Sequence, residues 1–382
     1  MWACQSGVIV RALVGAIGVL VVATSFAPHA SAGARVYDTE DFVVELGLRM
    51  QPRLQFSSIS GSGTTEERRD FMIRRARLKA NGHMMKVKYG FEWRLDGTGL
   101  IEGVVLASPI AGVENAWLQF PVLANGALEI RTGLYDQPYS RDRLTSDSKT
   151  LAVDRGLVSG VPALLGLADN AIGVDVRGKL REGRFVYAAG IFDNRTIKGP
   201  YQPDPMFVGR IDVNLGSSEN VYHDAHFGDD KWYSLGLNGS YQNAIEGTPS
   251  SPDSVMGGGR NMAVGIDGMI DVPLGPGRVF AMAEFNNVQV RKPGSTEKLD
   301  TRVWGTGIGY LFWGQRLQPN FRFDQILSDD GNFEDGGEVN QASVGINYYK
   351  RGHNLKIQGD VAFLGNTGDS FDRFRLQAQI DF

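Results

Sequence analysis

A dense group of basic residues near the start of the chain is the first feature that could perform chemistry. Guanidinium groups bind phosphate oxygens in a bidentate way, so arginines aligned on one wall favour anions. Acidic neighbours such as Glu45, Glu92 and Asp96 permit a second interpretation, a solvated wall of mixed charge. Spacing alone leaves both interpretations open. The basic group comprises Arg68, Arg69, Arg74, Arg75, Arg77, Lys79, Lys86 and Lys88.

The segment from Asp136 to Ala171 is the second candidate, because it is long, highly charged and has no strand pattern of its own. Loops of this length are usually functional or disordered. Its charged residues are followed by an apolar stretch that could pack against a wall, so we expect a constriction loop over residues 136–171. A surface cover that contacts lipopolysaccharide or a partner subunit is the alternative. The charged residues are Arg141, Asp142, Arg143, Asp147, Lys149, Asp154 and Arg155.

Other chemistries have weaker support. His223 and His226 lie among aspartates, but their spacing of three is common by chance, and no metal site is predicted. The acidic run 328–338 lacks the EF-hand spacing. A membrane esterase would need a serine–histidine pair, whereas we expect His83 on an apolar outer face and His353 at a turn. Neither a catalytic residue nor a cofactor is therefore predicted.

The stretch FVVELGLRMQPRLQF, residues 42–56, shows which elements hold these residues. Every even position is apolar, and the odd positions after Val43 are polar or glycine. This alternation predicts a strand with one apolar and one polar face. At 15 residues it exceeds the usual soluble strand of about five or six residues.

Sixteen such segments recur, starting near residues 42, 69, 83, 113, 127, 172, 185, 206, 232, 261, 278, 303, 317, 338, 354 and 372. Connections after most even-numbered segments are short and rich in turn residues, and those after odd-numbered segments are mostly longer. An even strand number with short turns at one end and long loops at the other is typical of an outer-membrane barrel. The connection 216–231 is too long for this rule. The expected turns are Asn81-Gly82, Asn125-Gly126, Glu182-Gly183, Gly275-Pro276-Gly277, Gly314-Gln315 and Arg351-Gly352.

The pattern therefore predicts an all-β fold, a transmembrane antiparallel barrel of about 16 strands with lipid outside and a polar lumen inside. In the second segment, Arg75, Arg77 and Lys79 share the polar face, whereas Arg74 falls with the apolar set. Either the strand bulges there or Arg74 snorkels. A secreted soluble β-sandwich or propeller is the rival fold, but it would need shorter strands and an apolar interior.

Export is predicted by the N-terminus. Arg11, an apolar run over residues 12–23 and the Ala30-Ser31-Ala32 site form a secretory signal peptide over 1–32, which leaves 33–382 as the barrel. A membrane anchor is the alternative, although the run is short for one. The single cysteine, Cys4, lies in the signal. The formal net charge of -4 argues against nucleic acid as a partner.

Three stretches resemble the phosphate-selective porins O and P. They are DFMIRRARLKANG (70–82), GLYDQPYSRDRLTSDSKTLAVDRG (133–156) and SVGINYYKRGHNLKIQGD (343–360). The resemblance spans nearly the whole mature chain. It implies a sixteen-stranded outer-membrane porin of a Gram-negative bacterium. It also implies a homotrimer that passes phosphate or related small anions.

The resemblance also implies site residues. Arg49, the pair Arg74 and Arg75, and Arg210 match positions of the family's arginine ladder, while Arg143 and Ser146 match a phosphate-binding lysine and serine. Glu114 falls where an acidic residue flanks the site. Asp147 departs from the pattern, because it replaces a second serine, and an added carboxylate weakens anion binding. The predicted anion-binding or pore-lining set is Arg49, Arg74, Arg75, Arg77, Glu114, Arg143, Ser146, Lys149 and Arg210.

The predicted function is passive diffusion of small anions through the outer membrane, with lipid and lipopolysaccharide around the barrel; the resemblance implies phosphate or oligophosphate as the anion. A general or cation-preferring porin remains open, because the net charge is acidic. A structural or adhesive barrel without transport is a second alternative, and a barrel enzyme is a third.

Overall fold

A computed structural model describes residues 33–61, 64–96, 98–101, 104–107, 112–164, 170–193, 204–216, 222–244, 259–291, 298–328, 338–366 and 370–382. The strands are β1 (Ala34–Asp38), β2 (Phe42–Gly61), β3 (Thr64–Met84), β4 (Val87–Arg94), β5 (Thr98–Ile101), β6 (Val104–Ala107), β7 (Gly112–Pro121), β8 (Glu129–Asp136), β9 (Asn170–Leu180), β10 (Phe185–Asp193), β11 (Met206–Gly216), β12 (Trp232–Ala244), β13 (Gly259–Leu274), β14 (Gly277–Arg291), β15 (Lys298–Leu311), β16 (Leu317–Ser328), β17 (Glu338–Arg351), β18 (Leu355–Asn366) and β19 (Ser370–Asp381). The helices are α1 (Arg141–Leu144) and α2 (Leu157–Leu164). Neither of these described helices is long and apolar enough to cross a membrane.

Sixteen of the strands form a closed antiparallel barrel, which confirms the predicted fold. Each strand of β2–β4 and β7–β19 pairs with the next, and β19 returns to pair with β2. The carboxyl terminus completes the closure, because Leu48 and Phe382 exchange two backbone hydrogen bonds of 2.7 and 3.0 Å. The short β1 pairs with β2 over residues 43–46, beyond the end of β19. The hairpin of β5 and β6 forms a separate sheet.

The two faces of the strands follow the predicted alternation. Large apolar side chains on the outer face, such as Phe71, Ile211 and Leu237, are more than half exposed. The interior is polar instead, with fully buried side chains such as Gln358 and Gln377. Such an inverted distribution suits lipid outside and water or polar contacts inside, since all strand edges of the ring are paired.

A bulge in β3 turns both Arg74 and Arg75 inward. Gln51 pairs with Arg75 and the next residue, Pro52, pairs with Ile73, so Arg74 is the extra residue. One inserted residue shifts the period-two pattern by one position. This confirms the first of the two predicted explanations for Arg74.

The first predicted turn is wrong. Asn81 and Gly82 lie within β3, and the chain reverses at Met85 and Lys86, where Met85 has a φ of 53°. The strand thus continues past the Asn-Gly signal, because β2 is long enough to pair with residues up to Met84. As a consequence His83 falls on the inner face in register with buried Val43, not on the lipid face. The other predicted turn sites lie at strand reversals.

The connection 216–231, which is too long for a short turn, is described by the structure from residue 222 onward. Residues 222–231 are held by the barrel interior: His226 donates its backbone N–H to Asp271 (2.8 Å), and Arg278 donates to the carbonyls of Gly228 and Asp230 (2.7 Å each). Ala225 packs with Leu311 and Tyr349. Residues 222–231 therefore form an inward plug at the short-turn end.

Candidate functional site

The inner segment, residues 137–164, lies inside the barrel. It leaves β8, forms α1 with Ser140 as its N-cap, and ends in α2. Tyr139 donates a hydrogen bond of 3.0 Å to Asn286 on β14, and Val158 donates one of 3.4 Å to Asp324 on β16. The lumen thus holds a folded peptide rather than water alone.

Three carboxylates of the inner segment dock on wall arginines. Asp142 pairs with Arg322 (2.6 Å), and Asp147 pairs with Arg75 (2.8 Å). Asp154 pairs with Arg53 (2.7 Å) and, among others, with Arg375 (2.8 Å). Charge-assisted hydrogen bonds of this kind are about twice as strong as neutral ones. The basic wall therefore serves first as the attachment surface of the segment.

Asp147 stands at the centre of the predicted anion site. Its carboxylate contacts Arg75 on the wall and Arg155 of its own segment at 2.5 Å, and Arg49 lies close enough to act on its charge. Burial alone would raise the pKa of Asp147, but the guanidinium groups of Arg155 and Arg75 outweigh it and hold the pKa well below its usual range. An internal carboxylate thus lies between arginines that could otherwise hold a free anion.

Arg49 and Ser146, both predicted site residues, meet beside this pair. The Nη2 of Arg49 donates to the Ser146 hydroxyl at 2.9 Å, and its Nε contacts Asp381 at 3.1 Å. Ser146 also shares a hydrogen bond of 3.2 Å with Ser148. Arg49 and Ser146 therefore lie next to the pair of Asp147 and Arg75.

Arg77 and Glu114, also predicted, pair with each other on the adjoining wall. Their nitrogen and oxygen atoms are 3.4 Å apart, and Arg94 contacts the same carboxylate at 3.6 Å. Glu114 reaches inward because it is the extra residue of a bulge in β7, between the partners of Glu92 and Trp93. This group faces the lumen side by side with the Asp147 site.

Arg74, the bulge residue, and Arg143 stand at the borders of the site. Arg74 lies 3.6 Å from Asp154. Arg143 belongs to α1 and its Nε is 3.7 Å from Asp136 at the base of the segment. The side chain of Arg143 remains 20% exposed. It therefore contributes charge at the surface of the segment.

Lys149 connects the inner segment to the inward plug. Its Nζ is 2.6 Å from Nε2 of His223, and its carbonyl accepts the Asp224 N–H at 2.9 Å. Burial lowers the pKa of Lys149 to about 8 against the opposing effect of Asp381, and burial together with the charge of Lys149 lowers the pKa of His223 to about 3. His223 is therefore neutral beside the lysine at neutral pH. Lys149 acts in this structure as a contact between two inward segments.

Arg210 is far from the other predicted residues. It is buried on β11 and forms ion pairs with Asp212 and Asp267, both at 2.6 Å. Arg141 of the inner segment contacts the same Asp267 at 2.8 Å. Arg210 thus belongs to the group of wall residues that holds Arg141 of the inner segment, away from the Asp147 site.

The sequence did not single out the partners of these residues. Asp154 and Arg155 belong to the charged residues of the predicted constriction loop, whereas Arg53, Arg322 and Arg375 are not among the predicted site residues. One feature of the sequence does point to such partners. Residues 142, 147 and 154 are acidic and lie in one long loop, and a carboxylate that becomes buried needs a cation beside it. Among the described residues, no group of three or more His, Cys, Asp or Glu side chains is placed to hold a metal.

The comparison with protein families gives one match. The model of the family "Phosphate-selective porin O and P" matches residues 44–221. This confirms the resemblance predicted from the sequence. A protein of Aquifex aeolicus (strain VF5), described as uncharacterized, is 25% identical over 379 residues, which cover 89% of this chain and 87% of that protein.

Solved outer-membrane channels share the fold. The anion-selective porin from Comamonas acidovorans has a TM-score of 0.59 at 13% identity and covers 89% of this chain and 100% of its own. OprB of Pseudomonas putida has a TM-score of 0.59 at 11% identity, with 89% and 94% covered. The channel DcaP of Acinetobacter baumannii has a TM-score of 0.58 at 14% identity, with 92% and 100% covered. At these identities the likeness shows the barrel fold alone.

Proposed function

We propose that this chain passes small anions by passive diffusion. Its family match and its barrel fold support an outer-membrane porin rather than an enzyme. Phosphate and oligophosphate are the first candidates, because the matched family is described as phosphate-selective. A homotrimer in a lipopolysaccharide-containing membrane and export by a signal peptide over residues 1–32 belong to the same proposal.

The route that anions would take through the lumen follows from where the inner segment is attached to the barrel wall. Its hydrogen bonds and ion pairs run mainly to β2, β3, β11–β14 and β16–β19, for example Asn347 to the Leu151 carbonyl (2.8 Å) and Gln379 to the Ser148 carbonyl (3.0 Å). The side chains of Arg94 and Arg177, on β4 and β9, are 29% and 20% exposed. The path would therefore run between the segment and the wall of β4 and β7–β10.

One observation carries the anion preference. The side chains of Arg94, Arg143 and Arg177 remain partly exposed along this path, so a passing anion could replace part of its hydration by contact with them. Their existing acidic partners would keep such contacts weak, and weak binding is what allows an ion to leave. The mechanism is then a sequence of short-lived contacts rather than one tight site.

A general porin with little preference is the second candidate. It is favoured by Asp147, whose carboxylate already neutralises the arginines at the centre of the predicted phosphate site. In this case chloride and potassium would pass at similar rates, and phosphate would not compete.

Planar-bilayer recording separates these candidates. Purified, heat-modifiable protein is inserted under a KCl gradient, the reversal potential is read, and phosphate is then titrated. An anion-selective reversal potential supports the proposal, and block of the chloride current by phosphate supports the phosphate part. A reversal potential near zero without block would favour the general porin. Absence of any conductance from folded protein would contradict both and favour a structural barrel.

A further inference from the structure

We propose that Arg131, together with Trp117, Tyr135 and Arg177, forms a wall subsite for aromatic carboxylates. The subsite rests on the proposed function in that its ligand arrives through the channel. It lies on β7–β9, away from the Asp147 site, and none of these four residues was predicted as a site residue.

The Arg131 side chain is held in a fixed position. Its Nε donates to Gln119 at 2.8 Å, and its Cζ lies 4.2 Å from the ring centroid of Trp117 and 5.5 Å from that of Tyr135. Gln119 is itself held, because it donates to Glu129 at 2.7 Å. A guanidinium oriented by one hydrogen bond and two aromatic rings is preorganised for a planar anion.

The nearest carboxylates are already occupied by other residues. Asp175 binds Arg177 through both carboxylate oxygens, and Glu129 is bound by Lys88 at 3.0 Å and by Gln119. Within the described part of the chain, Arg131 has no carboxylate within 4.0 Å, and its two terminal nitrogens donate no hydrogen bond. Other wall arginines differ from it in having such a partner, among them Arg49, Arg53, Arg74, Arg75, Arg77, Arg94, Arg177 and Arg210.

The floor beneath this guanidinium is aromatic. Tyr135 packs edge-on against Phe192 with centroids 5.5 Å apart, and both belong to an apolar cluster to which Trp117 is attached. An inorganic anion would use only the guanidinium nitrogens. A ligand with a carboxylate and an apolar ring would use both the nitrogens and the aromatic surface. An aromatic carboxylate such as benzoate has this combination.

The lack of a side chain at Gly90 leaves room for the indole ring of Trp117. A Cβ built on Gly90 would lie 2.5 Å from Cε2 and Cζ2 of Trp117, which is far inside contact distance. The ring therefore lies directly against the backbone of β4. Gly90→Ala should displace Trp117 without changing any charge.

Two variants and one control follow from this geometry. Arg131→Lys keeps the positive charge but loses the planar fork and its stacking, so it separates recognition from general attraction of anions. Gly90→Ala removes the aromatic side of the subsite. Lys179→Gln removes one exposed charge from the same wall and is the matched control.

The experiment compares block of the chloride current by benzoate and by acetate in planar bilayers, with heat-modifiability as the check of folding. For the unmodified protein we expect half-block by benzoate at a concentration about tenfold lower than by acetate, as one charge-assisted contact plus ring stacking implies. In Arg131→Lys and Gly90→Ala the ratio should fall below about threefold, whereas Lys179→Gln should keep it. Equal block by benzoate and acetate, or an unchanged ratio in Arg131→Lys, would overturn the subsite.

A binding measurement separates this subsite from the porin function itself. Folded barrel in detergent should broaden the ¹⁹F signal of 4-fluorobenzoate, and Arg131→Lys should remove the broadening. Broadening without conductance would support the subsite and contradict the porin. Anion-selective conductance without any difference in broadening between the two proteins would contradict the subsite alone.

Discussion

Replacing Asp147 should convert its site into a stronger anion site. Asp147→Ser places at this position the residue that the resemblance to the family implies. It leaves Arg75 and Arg155, which contact the carboxylate at 2.8 and 2.5 Å, without that partner. A phosphate entering the space would find two guanidinium groups and the Ser146 hydroxyl close by.

The size of the gain follows from these contacts. Each charge-assisted hydrogen bond contributes about 1.5–3 kcal/mol. Much of this is offset by dehydration of the ion and by widening of the site, so we expect a net gain of about 1.4–2.8 kcal/mol. This corresponds to about 10- to 100-fold tighter block by phosphate. The loss of one partner from a buried pair should also destabilise the docked segment, by about 3–5 kcal/mol.

The assay is titration of the single-channel chloride current with phosphate. Asp136→Ser is the control, because it removes the same charge from the base of the segment, where Arg143 lies 3.7 Å away and the carboxylate is 38% exposed. We expect less than about a threefold change in the control, since exposed pairs contribute little. If Asp147→Ser binds phosphate no better than the control does, Asp147 is not the residue that neutralises this site.

Three further predictions concern the inward segments and the bulge. Asp142→Ala should free the inner segment from Arg322, at a cost of about 1.5–3 kcal/mol for the lost charge-assisted hydrogen bond, since Arg322 keeps its contact with Asp324 at 2.8 Å; single-channel conductance should rise, and an unchanged conductance would contradict docking at this pair. His223 has a pKa lowered to about 3 by burial and by Lys149, against about 6.5 when free, so its contact is fully stable above pH 6.5 and weakens as the pH falls toward 3; open-channel noise should rise on acidification, and His223→Gln should flatten that rise. Deleting Arg74 removes the extra residue and leaves Ile73 facing outward next to Arg75 facing inward, so both halves of β3 keep their faces; heat-modifiable barrel should still form on refolding, and its loss would contradict the assignment of Arg74 as the bulge residue.

The barrel was predictable because its signal is repeated and physical. The alternation of FVVELGLRMQPRLQF recurs in sixteen segments, and each must place its apolar face toward lipid, so strand number and faces follow without knowledge of contacts. The wrongly predicted turn between β2's partner strand β3 and β4 shows the limit of rules based on local sequence. Asn81-Gly82 is a strong turn signal, but pairing with a long β2 carries β3 onward to Met84, since long-range hydrogen bonds outweigh one local preference.

The site was predictable only in part. Arg49, Arg75 and Ser146 could be grouped through the resemblance, whereas their partners depend on how residues 137–164 cross the lumen. That path is decided by ion pairs between positions far apart in sequence, such as Asp142 with Arg322, for which no local pattern exists. The inward connection 222–231 could be recognised only as an exception to the turn rule, because its location depends on contacts with Asp271 and Arg278.

Accessibility of single cysteines tests the central claim, that anions pass between the inner segment and the wall of β4 and β7–β10. Cys4, the one cysteine of the chain, lies in the predicted signal peptide, so cysteines can be introduced singly. Arg177→Cys lies on the proposed path, and Ser343→Cys lies on the inner face of β17, where the side chain is buried. During recording, an anionic methanethiosulfonate should reduce the current through Arg177→Cys faster than its cationic analogue does, and should leave Ser343→Cys unaffected. Modification of Ser343→Cys alone, or faster reaction with the cationic reagent at Arg177→Cys, would contradict the account.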